Sequence, residues 1–407
     1  MLYQAYQAYA DLMDPLRFFA RNAASLLAEP PPWPWVPERM YQYDLSAAYE
    51  VFTRTGLTYK RPPFNIPVVK MGGEEVAIRE EAPFHTPFGT LLHFAKDSTV
   101  QQPRVLIVAP MSGHFATLLR GTVLTMLPDH DVYITDWHNA RDVPLEAGRF
   151  GLEDYIEHMI KFLEFLGPGA HLVAVCQPTV AALAAVSLMA EDNHPAQPRT
   201  MTLMAGPIDC RVNPTKVNEL AMSKPIEWFE KNLIGTVPLR YAGAARRVYP
   251  GFVQISSFMS MNMERHSQAF IDMFNHLHAR NTEKAESIKE FYEEYLAVSD
   301  LPAEFFLETV QKIFQEFALP LGKLEFKGHR IDPAAIRRTA LMTVEGERDD
   351  ICALGQTLAA QEMCSGIRMN RKLHHVQAGV GHYGVFNGRR WQNEIYPMLR
   401  DFIHMHA

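Results

Sequence analysis

The sequence predicts an α/β fold, a mostly parallel central sheet flanked by helices, with an inserted, mainly helical cap. Three patterns carry that prediction. Six short apolar runs ending in turn residues recur at 104–109, 132–136, 171–175, 201–205, 340–344 and 373–377, as buried parallel strands do. Helical periodicity separates the earlier ones, at 152–166 and 179–189. Strands alternating with helices make a parallel sheet covered on both faces. The alternation then stops between 209 and 331, a helical and irregular stretch rich in Met, Phe and charge. Core strands flank it in sequence, so it reads as an insertion over the carboxyl ends of the sheet.

Taken in order, residues 1–28 carry Leu12, Leu16, Phe19, Leu26 and Leu27 at roughly helical spacing. The run Glu29-Pro30-Pro31-Pro32-Trp33-Pro34-Trp35-Val36-Pro37 cannot be helical, because proline lacks the amide donor and clashes with the preceding turn. It predicts an extended connector, followed by a short helix near 45–55. Strand signals at 67–69 and 75–78 flank Gly72-Gly73, and 91–94 follows; these predict antiparallel opening strands. Inside the insertion, 291–296 and 305–317 have amphipathic helical patterns. The expected organisation is an N-terminal helical and Pro-rich segment over 1–66, a first core part over 67–208, a cap over 209–331 and a second core part over 332–407. No internal repeat or low-complexity segment interrupts it.

Composition narrows the function. The chain has 407 residues, 47% hydrophobic and 21% charged, which suits a packed globule. Thirty-nine Lys and Arg against 46 Asp and Glu give a net charge of -7, against a general nucleic-acid binder. Four scattered cysteines, Cys176, Cys210, Cys352 and Cys364, fit neither a disulfide framework nor a CxxC zinc site, and a reducing compartment is the simpler reading. No metal-ligand cluster or phosphate-cradling glycine loop stands out, so no metal or organic cofactor is expected. The N-terminus lacks a charged n-region and an unbroken apolar h-region. The most apolar stretch, 171–190, contains Gln177, Pro178, Thr179 and Ser187; it reads as strand, turn and helix rather than a membrane span.

The sharpest local signal is Ala174-Val175-Cys176-Gln177-Pro178-Thr179. An apolar strand runs straight into a cysteine, and a helix of small residues begins at once. In the α/β-hydrolase scheme this is the strained turn written G-x-S-x-G, which needs small residues two before and two after the nucleophile. Ala174 and Pro178 hold those places here, and cysteine replaces serine. Pro178 fits the first helical turn, where its missing N–H costs little. A cysteine at a helix N-terminus feels the positive end of the dipole, which favours the reactive thiolate. The bland alternative, a small buried hydrophobe, gives up ground to the strand–cysteine–helix context. The Gln177 N–H would face a developing oxyanion. A second donor is expected from the loop after the 104–109 strand, at Met111 or Ser112. His114 in that loop reads as a pocket residue or an exposed one. Trp137, past a strand end, reads as a pocket wall or a core residue.

Chain order in this scheme runs nucleophile, acid, histidine. After the insertion comes a strand and then Glu345-Gly346-Glu347-Arg348-Asp349-Asp350-Ile351. Asp349 or Asp350 could orient a histidine, and spacing does not choose between them. The last strand ends in Ala378-Gly379-Val380-Gly381-His382-Tyr383-Gly384. Glycines around His382 permit a tight loop that brings the ring to a nucleophile as general base.

With these residues in place, the chain resembles the intracellular poly(3-hydroxybutyrate) depolymerases. The carrying segments are Val173-Ala174-Val175-Cys176-Gln177-Pro178-Thr179, Gly346-Glu347-Arg348-Asp349-Asp350-Ile351, and the run from Gly379 through His382 to Gly388; Thr135-Asp136-Trp137-His138-Asn139 and Leu152-Glu153-Asp154-Tyr155-Ile156 also fit. The resemblance implies Cys176 as nucleophile, Asp349 rather than Asp350 as acid, and His382 as base. It implies a cytoplasmic enzyme on storage granules that releases 3-hydroxybutyrate oligomers or monomers. The polyhydroxyalkanoate synthases are similar too, but they usually keep glycine where this chain has Pro178. Transfer to CoA as acyl acceptor therefore stays open beside hydrolysis, as does a homo-oligomer. Phe252, Phe258, Met259, Met261 and Met263 in the insertion read as polymer contacts or as packing. So do the N-terminal helix, Trp33 and Trp35.

Overall fold

The computed structural model describes residues 2–28, 40–261 and 263–407, so Trp33, Trp35 and the proline-rich connector lie outside the described residues. Two helices open it, α1 (Leu2–Ala28) and α2 (Met40–Arg54). Three antiparallel strands follow, β1 (Val68–Met71), β2 (Glu74–His85) and β3 (Gly89–Lys96), and Gly72 and Gly73 turn the first hairpin with positive φ. The βαβ part comprises β4 (Arg104–Val108), α3 (Arg120–Met126), β5 (Asp131–Trp137), α4 (Leu152–Leu166), β6 (His171–Val175), α5 (Thr179–Glu191) and β7 (Thr200–Met204). α2 starts earlier than the apolar spacing predicts. The other elements fall close to their expected places.

Between β7 and the next core strand lie five longer helices, α6 (Lys216–Met222), α7 (Ile226–Leu233), α8 (Gly251–Met261), α9 (Met263–His278) and α10 (Thr282–Tyr295). A small sheet of β8 (Gly235–Thr236), β9 (Arg247–Tyr249) and β10 (Leu301–Pro302) accompanies them. Then come α11 (Ala303–Thr309), which runs on into a wider π turn, and the ribbon β11 (Glu325–Phe326) and β12 (His329–Arg330). The core resumes with β13 (Ala340–Gly346) and β14 (Lys372–Gln377) and closes on a helix at Tyr396–Met405.

The nine-stranded sheet has the order β1-β2-β3-β5-β4-β6-β7-β13-β14. From β5 to β14 every neighbouring pair is parallel. A parallel register puts all carboxyl ends on one edge, where α/β sheets bind ligands. Each face of the sheet has its own apolar layer. One is built with α4 and α5, the other with α3 and the C-terminal helix. α5 is buried on all sides from Thr179 to Met189, as expected of a helix that is apolar all round.

The opening helices pack on the insertion. Tyr6 stacks on Phe252 with ring centroids 4.0 Å apart, and the Tyr3 hydroxyl donates to Asp300. The other Asp300 oxygen accepts the Gly251 N–H at 2.8 Å. Burial pushes the Asp300 carboxyl up to about 6. Among the described residues no helix is long and apolar enough to cross a membrane.

Candidate active site

The turn after β6 carries Cys176 at φ +66°, a left-handed conformation that L side chains rarely adopt. The Cys176 N–H donates to Met204 O at 2.7 Å, and the Thr179 hydroxyl caps the Cys176 carbonyl at 2.9 Å. These bonds hold the strained bend against a cost of about 1–3 kcal/mol. Crowding explains the small neighbours. A Cβ on Gly206, next to the bend, would sit 1.9 Å from the Thr179 hydroxyl. The side chain of Cys176 is half-buried and its thiol is free.

Asp349 and His382 stand past the ends of β13 and β14, which pair in parallel up to Gly346 and Gln377. His382 Nδ1 lies 2.8 Å from Asp349 Oδ2. Asp349 Oδ1 accepts the N–H groups of Ile351 at 2.9 Å and Cys352 at 2.8 Å. Both carboxylate oxygens are thus held and the acid is buried, whereas Asp350 is exposed at the cleft. Behind them the buried Glu345 carboxylate accepts the N–H groups of Gly355, Thr357 and Leu358, fixing the rest of the acid loop.

Cys352 and His382 are the side chains that most favour a thiolate at Cys176. Interaction with the Cys352 thiol is the largest cause of a Cys176 thiol held well below the ordinary range; His382 adds to it, and burial and the Asp349 charge oppose it. Burial opposes charge on His382, but the Cys176 thiolate and the Asp349 carboxylate outweigh it and raise the imidazole well above its usual value. The same interaction between the two thiols, with burial, keeps the proton on Cys352. The site therefore favours a thiolate–imidazolium pair, a form ready for nucleophilic attack.

The loop after β4 lies across from this pair. The Tyr155 hydroxyl of α4 lies 3.3 Å from Gln177 Oε1 and 3.5 Å from Ala109 O, either of which can accept its proton. Burial and the Cys176 charge keep that hydroxyl protonated. Gln177 Nε2 is buried and has no partner among the described residues. Sequence reasoning missed Tyr155 and Cys352. An aromatic at helical spacing reads as core, and a cysteine three residues past an acid reads as filler.

A cleft of about 220 Å³ opens at His382, lined by Phe258, Arg265, Tyr295, Asp350 and Tyr383 among others. The structure brings together Cys176, Asp349 and His382, and Gln177 follows Cys176 in its turn. It does not bring Trp137 or His114 to the cleft wall. Trp137 is buried, donates its indole N–H to Ala109 O at 2.9 Å and packs against Tyr155. His114 is buried rather than exposed; its Nε2 lies 3.1 Å from Tyr295 O, so it stands one layer behind the cleft, and burial lowers it to about 4. Of the five insertion residues singled out for polymer contact, Phe258 lines the cleft. Phe252 packs on Tyr6, Met259 lines a separate cavity, and Met263 is exposed elsewhere. The side chain of Met261 lies outside the described ones. Among the described residues no group of three or more His, Cys, Asp or Glu is placed to hold a metal ion.

The family model described as "PHB de-polymerase C-terminus" matches residues 205–407. That span contains Asp349 and His382 and begins after Cys176. Over that C-terminal part the chain is PHB depolymerase-like, and the fold is that of an α/β-hydrolase. No curated protein matches the sequence. Solved structures similar to this hydrolase include a putative lipase from Acinetobacter baumannii AYE, at 11% identity and TM-score 0.44, covering 81% of this chain and 93% of that one. A 2-hydroxy-6-oxo-6-phenylhexa-2,4-dienoate hydrolase from Rhodococcus sp. strain RHA1 is similar at 13% identity and TM-score 0.46, covering 81% and 99%. A thermophilic esterase from Thermogutta terrifontis is similar at 12% and 0.40, covering 84% and 98%.

Proposed function

We propose that this hydrolase cleaves the ester bonds of poly(3-hydroxybutyrate) through a cysteine acyl-enzyme, in the cytoplasm at the surface of storage granules. The observation that carries the reading is the 2.8 Å contact of Asp349 with His382 at a cleft, with the His382 ring and the Cys176 thiol each stabilising the other's charge. The Cys176 thiolate attacks an ester carbonyl of the polymer. The oxyanion forms against the Gln177 N–H and a donor of the Met111–Ser112 loop, an arrangement whose loss typically costs about a hundredfold or more. His382, positively charged in the resting pair, protonates the departing 3-hydroxyl oxygen. It then takes a proton from water as the water attacks the thioester, releasing a hydroxyacid and restoring the thiolate–imidazolium pair. Asp349 holds the ring in the tautomer this requires. No step calls for a metal or an organic cofactor.

Amorphous poly(3-hydroxybutyrate) particles incubated with the full chain test this reading. Release of 3-hydroxybutyrate or its oligomers is expected, and Cys176→Ala should reduce it about 10⁴-fold or more while the chain stays folded. The same assay with CoA added separates the acceptors. Free hydroxyacid with no hydroxybutyryl-CoA supports hydrolysis, hydroxybutyryl-CoA moves the assignment to thiolysis, and full activity in the Cys176→Ala chain rejects the mechanism.

A further inference from the structure

Helix α1 carries two apolar seams, and the fold covers one of them. The inner seam, at Tyr3, Tyr6, Ala10, Met13, Ala20 and Ala24, is buried or half-buried against the chain's own α2 and insertion. The outer seam is Leu2, Ala5, Tyr9, Leu12, Leu16, Phe19, Ala23 and Leu26. Its spacing alternates between three and four residues without a break, which is the a and d pattern of a helix that pairs with another helix. Its six large side chains are between 49% and 76% exposed. No charged residue interrupts it.

The seam is also a palindrome in side-chain size. Laid antiparallel on a copy of itself, with a two-fold axis near residue 14, Leu2 meets Leu26, Ala5 meets Ala23, Tyr9 meets Phe19 and Leu12 meets Leu16. Each a position then faces a d position of the other helix, leucine lies on leucine, alanine on alanine and aromatic on aromatic. An isologous contact requires such self-complementarity, because the same patch serves both copies. Pro15, inside the helix, stands beside the seam close to its midpoint, so any bend it imposes is common to both copies.

We propose that α1 is the dimer interface of this protein, its outer seam pairing antiparallel with the same seam of a second copy. Area supports that occupant. The six large side chains and two alanines expose about 700 Å² in all, near the about 800 Å² per partner of a standard interface. Charge disfavours a bilayer surface. A helix lying on such a surface carries Lys and Arg on its outer flanks. In α1, Asp11 and Asp14 balance Arg17 and Arg21, and Arg17 is turned inward beside Gly56. The proposal is independent of the reaction assigned to the cleft.

Sedimentation velocity on the full chain at micromolar concentration tests it. The chain should run at twice its monomer mass, and Leu12→Glu with Leu16→Glu should halve that mass. Circular dichroism checks that the substituted chain is folded. A second measurement does not depend on the charged variant. In a Cys176→Ala background, mild oxidation should cross-link the double variant Ala5→Cys, Ala23→Cys into a dimer, and neither single variant, because the register sets residue 5 against residue 23. A monomeric parent chain, a dimer that survives both glutamates, or cross-linking of either single variant would each overturn the proposal. So would a monomer that sediments with amorphous polyester particles and loses that binding with the two glutamates; that result gives the seam to the polymer.

Discussion

The two walls of the cleft are held in different ways. On the sheet side, Cys176, Asp349 and His382 each follow the end of a parallel strand, and main-chain bonds fix the two turns: Met204 O takes the Cys176 N–H, and Asp349 Oδ1 takes two N–H groups of its own turn. On the insertion side, Phe258, Arg265 and Tyr295 come from α8, α9 and α10, and their places depend on how helices far apart in sequence pack together. The first wall can hold reacting atoms within the few tenths of an ångström that bond making needs, because strand register is set by many hydrogen bonds at once. The second wall offers surface. Substitutions on the sheet wall should therefore change kcat and the pH profile, and those on the insertion wall should change KM and substrate choice.

The largest expected contrast lies between two adjacent acids. Asp349→Asn should lower kcat about 10³-fold or more on a soluble 3-hydroxybutyrate oligomer, because an amide facing His382 Nδ1 stabilises the wrong tautomer. Asp350→Asn, at an exposed carboxylate on the cleft rim, should stay within about twofold. Comparable losses in both would show that the 2.8 Å contact between Asp349 and His382 does not orient the ring during turnover.

Next comes Cys352, whose thiol acts on the Cys176 sulfur, the proposed nucleophile. The sign follows from the direction of the shift. That interaction lowers the Cys176 thiol pKa, so the thiolate is present at pH values where a free thiol would be protonated. Cys352→Ala removes the donor and raises the thiol pKa, so the acid limb of the kcat/KM profile should move to higher pH. Activity at the acid end should fall about tenfold, the worth of a hydrogen bond to a charged group, while activity at alkaline pH stays near the parent value. A uniform loss at every pH would mean that Cys352 acts through packing alone.

Tyr155 should matter less. Its hydroxyl stands between Gln177 Oε1 and Ala109 O, tying the turn after β6 to the end of β4, the two segments expected to supply the oxyanion donors. Tyr155→Phe keeps the aromatic packing against Trp137 and Phe305 and removes one bridging group. A five- to tenfold fall in kcat with a smaller change in KM is expected, about the net worth of one hydrogen bond. A change in KM alone would place Tyr155 in substrate binding instead.

How much was legible in the sequence follows the same division. The parallel strands and the Cys176 bend announce themselves because their signals are local: apolar runs, a small residue on either side, a helix beginning at once. His382 is legible for the same reason, a lone ring among glycines at a strand end. Asp349 and Asp350 are adjacent and chemically alike, and only the fold of their turn, with Oδ1 on Ile351 and Cys352, tells them apart. Cys352 meets Cys176 only because β13 sits beside β7 and β7 beside β6. Tyr155 reaches the loop after β4 because α4 crosses that face of the sheet. Trp137 and His114 illustrate the converse. Each stands near the catalytic edge in sequence, yet packing turns each away from the cleft. The insertion yields helices to periodicity, but which of its aromatic and methionine side chains face the cleft is decided by contacts with α1 and α2 that no local pattern encodes.

The smallest effect belongs to the insertion wall, and it distinguishes substrates rather than rates. Arg265 is an exposed cation at the cleft, next to Tyr295. Polyester chains are neutral along their length and carry one carboxylate at an end. A short oligomer therefore brings its charge close to the cleft far more often than a long polymer does. Arg265→Ala should raise KM for soluble dimers and trimers two- to fivefold, the usual worth of a solvent-exposed charge pair, and the increase should shrink with added salt. Turnover of amorphous polymer, measured in parallel, should change little. If the polymer is affected as strongly as the trimer, Arg265 contributes surface rather than charge, and the division of labour between the two walls has to be redrawn at that residue.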